Sequence, residues 1–202
     1  MTFEIISAVL AYMLGSIPTA VWYGKIFHGI DIRDFGSGNA GATNSLRTLG
    51  KKAGIIVLLI DFLKGMLAVT LFAWIFPQIQ EWSILLSGIL VIIGHIFPVF
   101  AQFRGGKGVA TAMGVLVGLM PIAALGCFVV FLLIVLLTKY VSLGSILGAF
   151  AFPIQITFIY ASDNYLLIVF SWIVFCIITI MHRQNIQRLL AGTENKLGTK
   201  KQ

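Results

Sequence analysis

Four short polar segments interrupt this chain, and their residue types suit the capture of anions. The first reads Gly36-Ser37-Gly38-Asn39-Ala40-Gly41-Ala42-Thr43-Asn44-Ser45-Leu46-Arg47. Glycines let backbone N–H groups converge on one point without side-chain clashes. Arg47 adds a planar guanidinium that can grip a phosphate through two parallel hydrogen bonds. A solvent loop accounts for glycine, asparagine and serine as turn residues. It does not account for Ser37, Asn39, Thr43, Asn44 and Arg47 together. The second segment, Gly105-Gly106-Lys107-Gly108-Val109-Ala110-Thr111, leads from a loop into an apolar run. A helix starting there would offer unpaired N–H groups and a positive dipole end, with Lys107 adding a charge and Thr111 a hydroxyl. A tight turn explains Lys107 and one glycine, but not three glycines. Nor is this a nucleotide P-loop, because Gly108 stands where that motif needs Ser or Thr after the lysine.

The third segment is Tyr140-Val141-Ser142-Leu143-Gly144-Ser145, whose serines could cap a helix or face an anion. The fourth is His182-Arg183-Gln184-Asn185-Ile186-Gln187-Arg188-Leu189-Leu190. Ile186, Leu189 and Leu190 fall at i, i+3 and i+4, the pattern of a short helix lying on anionic lipid. His182 and Asn185 share another face. Inside an apolar run, Asp61 and Lys64 stand three apart on one helical face. Charges within a membrane need a partner or a cavity, so the pair is read as self-neutralising and structural. His95, three residues before Pro98, is read as a packing histidine in the same supporting class.

These segments lie in a very apolar chain. Its 202 residues are 59% hydrophobic and 10% charged, with mean hydropathy +1.01. That composition fits an all-α polytopic membrane protein and excludes a soluble domain. The net charge of +7 sits in short loops, which points to membrane topology and anionic lipid or substrate and away from nucleic acid. Cys127 and Cys176 fall in apolar runs and are read as small buried hydrophobes without a disulfide.

Apolar runs occupy 3–26, 53–76, 83–101, 109–138, 143–161 and 165–181. The fourth would stretch roughly 45 Å as one helix, too long for one crossing of about 30 Å. It contains Gly118-Leu119-Met120-Pro121, so it divides into a short half-type helix at 109–119 and a span at 122–138. With seven spans, the loops 27–52, 102–108 and 139–142 and the C-terminal tail share one side. Thirteen of the fourteen Lys and Arg residues then lie on that side or at its edge, and the other is Lys64. The opposite loops, 77–82 and 162–164, hold none. Positive residues favour the cytoplasm, which puts the N-terminus outside and the C-terminus inside. The first apolar run continues as a span, so no cleavable leader is expected. The chain reads as one domain over 1–202, ending in a mobile polar tail at 191–202.

Taken in order, these blocks resemble the bacterial acyl-phosphate:glycerol-3-phosphate acyltransferases. The resemblance runs from Leu14-Gly15-Ser16-Ile17-Pro18 through the first glycine run and Asp61-Phe62-Leu63-Lys64-Gly65. It continues through Gly94-His95, Pro98-Val99-Phe100 and the second glycine run to Tyr140-Val141-Ser142-Leu143 and Asn185-Ile186-Gln187-Arg188-Leu189-Leu190-Ala191-Gly192-Thr193-Glu194. It departs at Met181, where the family often has arginine. The resemblance implies an integral enzyme of the bacterial cytoplasmic (inner) membrane, with seven spans and its active site on the cytoplasmic side. It implies acyl phosphate as donor, glycerol 3-phosphate as acceptor, membrane lipid around it, and no cofactor, metal or obligatory protein partner. On that basis Ser37, Arg47 and Lys107 are expected to bind the glycerol phosphate. Gly38, Asn39, Gly41, Thr43 and Asn44, with Gly106, Gly108 and Thr111, are expected around the acyl phosphate. Ser142, His182 and Asn185 are expected to orient the acceptor, with His182 or the donor phosphate taking the hydroxyl proton. The rival reading is a transporter or channel for small phosphate-bearing anions, against which the short, featureless outer loops argue.

Overall fold

In a computed structural model of the chain, residues 2–75 and 78–198 are described, and every element among them is helical. The contacts gather into two compact units, Met1–Leu119 and Met120–Gln202.

The first unit holds α1 (Thr2–Gly15), α2 (Thr19–His28), α3 (Ala42–Thr48), α4 (Lys51–Ile75), α5 (Glu81–Ile96) and α6 (Val109–Leu119). The run expected as a continuous span at 3–26 is broken between α1 and α2. Pro18 lacks an N–H and restrains the residue before it. In an apolar setting the freed backbone groups need other partners, and the carbonyl of Ile17 accepts from Lys64 Nζ at 3.0 Å. Helices approach closely where glycine removes the side chain. A Cβ on Gly65 of α4 would collide with the Thr111 carbonyl of α6, and one on Gly114 of α6 with the Phe62 carbonyl of α4. Gly15 and Gly94 make the same kind of contact between α1 and α5.

The second unit holds α7 (Pro121–Thr138), α8 (Val141–Ile154), a π-helical turn at Gln155–Ile159, α9 (Tyr165–Met181) and α10 (Arg183–Leu190). Pro121 opens α7, where its missing N–H costs nothing, so the division expected after residue 119 is found there. α10 departs from α9 at 61°. Beyond it, residues expected to form a mobile tail fold back. Thr193 N donates to the Arg188 carbonyl at 2.8 Å and Leu197 N to the Lys139 carbonyl at 2.7 Å. The last four residues of the tail, 199–202, residue 76 at the end of the second span and residue 77 at the start of the outer loop lie outside the described residues.

Among the described residues, five helical stretches are long and apolar enough to cross a membrane: Thr2–His28, Lys51–Ile75, Glu81–Ala101, Pro121–Thr138 and Val141–Ile159. The bent pair α9 and α10 counts as a sixth if the two form one span, and α6 is a shorter apolar helix. The apolar side chains of α7, including Leu133, Leu136 and Leu137, are exposed, which suits a lipid-facing surface. Both cysteines are free. Cys127 is buried as expected, but Cys176 is exposed, because it falls on the outward side of an apolar helix whose composition alone does not mark its faces.

Candidate active site

The first glycine run folds around Asn44. Its Oδ1 accepts from Ser37 N at 2.9 Å, and its Nδ2 donates to the carbonyls of Ile32 and Phe35, both at 3.0 Å. Gly36 has φ +63°, and a Cβ there would collide with Asn44 Oδ1. Asn44 was expected at a bound phosphate. It is instead buried, with both amide protons engaged in shaping the loop. Ser37, Gly38 and Arg47 remain exposed, with Asn39, Gly41 and Thr43 half-buried.

Sequence reasoning passed over Arg33, which clamps this loop's base. Asp31 caps a single 3-10 turn at Ile32–Asp34 by accepting from Arg33 N at 3.1 Å. Arg33 Nε and Nη2 then reach the two oxygens of Asp31 at 2.9 and 2.7 Å, while Nη1 donates to the Ala101 carbonyl at 2.8 Å. The Arg33 guanidinium beside Asp31 holds that carboxyl well below the usual carboxylate range. Arg33 had read only as one of the cytoplasmic positive charges. The available signal was the Asp-x-Arg spacing next to a glycine run.

The second glycine run folds back on the end of α5. Gly105 N donates to the Ile96 carbonyl at 3.0 Å and Gly106 N to the His95 carbonyl at 3.1 Å. The Gly106 N–H, expected to face a phosphate, is therefore engaged inside the loop. Lys107 is half-buried, and Gly108, with φ +82°, turns the chain into α6. Thr111 is wholly buried at the α4–α6 crossing, and its Oγ1 has no hydrogen-bond partner among the described residues. The two glycine runs meet at Gly106, where an added Cβ would sit 3.1 Å from the Ala40 carbonyl.

Beneath them lies a buried polar cluster. Asp61 Oδ1 is 2.8 Å from Lys64 Nζ and 3.5 Å from His95 Nδ1, and accepts from Thr19 Oγ1 at 3.0 Å. The expected Asp61–Lys64 pair is present, with His95 joined to it.

In the second unit, the tail supplies a residue that sequence reasoning gave no role. Glu194 Oε1 accepts from Ser142 Oγ at 2.8 Å and Asn185 Nδ2 at 2.7 Å, and Oε2 accepts from Arg188 Nε at 2.8 Å. Burial pushes the Glu194 carboxyl up, but the hydrogen bonds from Arg188, Asn185 and Ser142 outweigh it and hold the pKa below its ordinary value. The signal was an isolated acidic residue in a basic tail. Of the two readings open for the serines, helix capping is not what is found: Tyr140 precedes α8 without a side-chain cap, Ser142 binds Glu194, and Ser145 Oγ donates back to the Val141 carbonyl at 2.9 Å. His182 is buried at the α9–α10 bend, with Nδ1 2.8 Å from the Ile178 carbonyl. A carbonyl only accepts, so Nδ1 carries the proton, and in the neutral ring Nε2 holds the lone pair.

Residues 5–192 match the family Glycerol-3-phosphate acyltransferase. A Glycerol-3-phosphate acyltransferase 2 of Bacillus anthracis is 49% identical over 198 residues, covering 96% of this chain and 99% of that protein. A glycerol-3-phosphate acyltransferase of Chlorobaculum tepidum is 44% identical over 218 residues, covering 94% of each. The crystal structure of PlsY (YgiH), an integral membrane glycerol 3-phosphate acyltransferase, in its glycerol 3-phosphate form, is similar with a TM-score of 0.90 at 39% identity. That similarity covers 97% of this chain and 96% of that one. The lysophosphatidic acid form gives a TM-score of 0.87.

Proposed function

This chain belongs to the glycerol-3-phosphate acyltransferase family, and from that premise we propose that it moves an acyl group from acyl phosphate to the sn-1 hydroxyl of glycerol 3-phosphate. An acyl phosphate is a mixed anhydride with a good leaving group. The hydroxyl oxygen forms a bond to the acyl carbon, the bond from that carbon to the phosphate oxygen breaks, and lysophosphatidic acid and inorganic phosphate result. Two phosphoanions have to be held together, so cations and preorganised N–H donors matter more than carboxylates. The observation that carries this reading is the meeting of two glycine runs at Gly106 and Ala40.

Ser37, Arg47 and Lys107 take the glycerol phosphate group. The exposed and half-buried part of the first run, Gly38, Asn39, Gly41 and Thr43, takes the acyl phosphate. Asn44, Gly106 and Thr111 serve by shaping the loops, given their engaged or buried groups. Gly108 sets the entry into α6. Ser142, His182 and Asn185 orient the acceptor, and His182 or the donor phosphate takes the hydroxyl proton. In the membrane we propose seven crossings, α6 being the short one, with the N-terminus outside and both glycine runs on the cytoplasmic side.

The test is purified protein in detergent with acyl phosphate and glycerol 3-phosphate. Phosphate release should require both substrates, and Lys107→Ala should lower kcat/KM at least a hundredfold. Uptake of glycerol 3-phosphate into liposomes without phosphate release would instead mark a transporter.

A further inference from the structure

We propose that His95, braced by Asp61, is a positioning residue that sets where Lys107 meets the acceptor phosphate. This rests on the reading that Lys107 holds glycerol 3-phosphate. His95 holds the loop by both its side chain and its backbone. Its carbonyl accepts from Gly106 N at 3.1 Å, and its ring lies against Gly106 so closely that an added Cβ would collide with Nε2. Gly106 is the residue immediately before Lys107. The same Cβ position lies 3.1 Å from the Ala40 carbonyl of the other glycine run. A shift of the imidazole would therefore displace the Lys107 loop and press on the first run.

The ring is itself fixed. It is buried, with Nδ1 3.5 Å from Asp61 Oδ1. The same oxygen accepts from Thr19 Oγ1 at 3.0 Å and pairs with Lys64 at 2.8 Å, and Lys64 Nζ donates to the Ile17 carbonyl at 3.0 Å. Self-neutralisation explains Asp61 and Lys64, but it requires neither His95 nor Thr19. What those two add is a fixed carboxylate with one oxygen turned to the imidazole. The chain of contacts runs from the α1–α2 break through α4 to the last turn of α5, and ends on the backbone that presents Lys107. Positioning shells of this kind act on the geometry of the groups that touch substrate, and small displacements are costly there.

The test separates the two substrates. His95→Ala and Asp61→Asn should each raise KM for glycerol 3-phosphate about tenfold, while KM for acyl phosphate changes less than twofold. His95→Gln, whose side-chain amide can reach the Nε2 position beside Gly106, should recover most of the loss. Direct contact is tested by a double-mutant cycle. Gly106→Ala alone should raise the same KM, but the Gly106→Ala, His95→Ala double variant should be no worse than His95→Ala, because removing the ring makes room for the methyl. Equal shifts in both KM values, no rescue by glutamine, or additive effects in the cycle would each overturn the proposal. Lys107→Gln is measured in parallel. If it leaves the acceptor KM unchanged while His95→Ala raises it, the Lys107 assignment fails and the bracing of the loop by His95 stands. If only Lys107→Gln raises it, the positioning role fails.

Discussion

Glu194 shows how a single carboxylate can tie side chains of two helices to the tail that follows them. It gathers a serine, an asparagine and an arginine from α8 and α10 onto its two oxygens. Three hydrogen-bond donors favour the charged form of a carboxylate, against the cost of burying it. Its folded-state pKa is depressed, so its contribution to stability is present above the unfolded glutamate pKa of about 4.3. It is lost as pH falls through the lower folded-state value. Glu194→Gln should therefore cost about 2 kcal/mol near neutral pH, in the range of hydrogen bonds to charged groups. Thermal melts of the two proteins should converge as pH is lowered below about 4; an unchanged gap there would remove the carboxylate from this role. Asn44 works in the same way within the first glycine run. A buried amide with every proton engaged is a scaffold, while its neighbours Ser37 and Arg47 stay exposed.

At the scale of elements, breaks and crossings position the site. The Pro18 break frees the Ile17 carbonyl for Lys64 and places Thr19 beside Asp61. The α4–α6 crossing depends on missing side chains, and its glycines are not equivalent. A Cβ on Gly65 meets backbone at Thr111, which cannot move without moving α6. One on Gly118 meets first the methyl groups of Val69 and Thr70, at 2.5 and 3.1 Å, which can shift, and backbone only at the Met66 carbonyl, 3.3 Å away. Gly65→Ala should lower the thermal midpoint by at least 10 °C and cut the yield of monodisperse protein. Gly118→Ala should stay near the 1–3 kcal/mol typical of moderate overpacking, roughly. Fluorescence melts and size-exclusion profiles of the two variants check this ordering, and equal effects would contradict it.

For the whole molecule, the prediction concerns topology. After replacement of Cys127 and Cys176, a single cysteine at Asp163 should react with an impermeant thiol reagent in intact cells. One at Gln184 should react only after lysis. The reverse pattern would invert the proposed orientation. The sequence alone determined the membrane class, the helix boundaries at 109–119 and 165–181, the division before Pro121 and the four polar segments, because hydrophobic run length, proline and glycine act locally. It also carried the family resemblance, since blocks in order are a property of the chain. It could not distinguish residues that build a loop from residues that line one. Asn39 and Asn44 have the same chemistry and lie five apart, yet one is half-exposed and the other is buried as a scaffold. Nor could it show that Arg33 reaches Ala101, that His95 backs onto Gly106, or that Glu194 returns to Ser142. Those pairs are separated by many residues, and only tertiary packing decides which distant donor meets which acceptor.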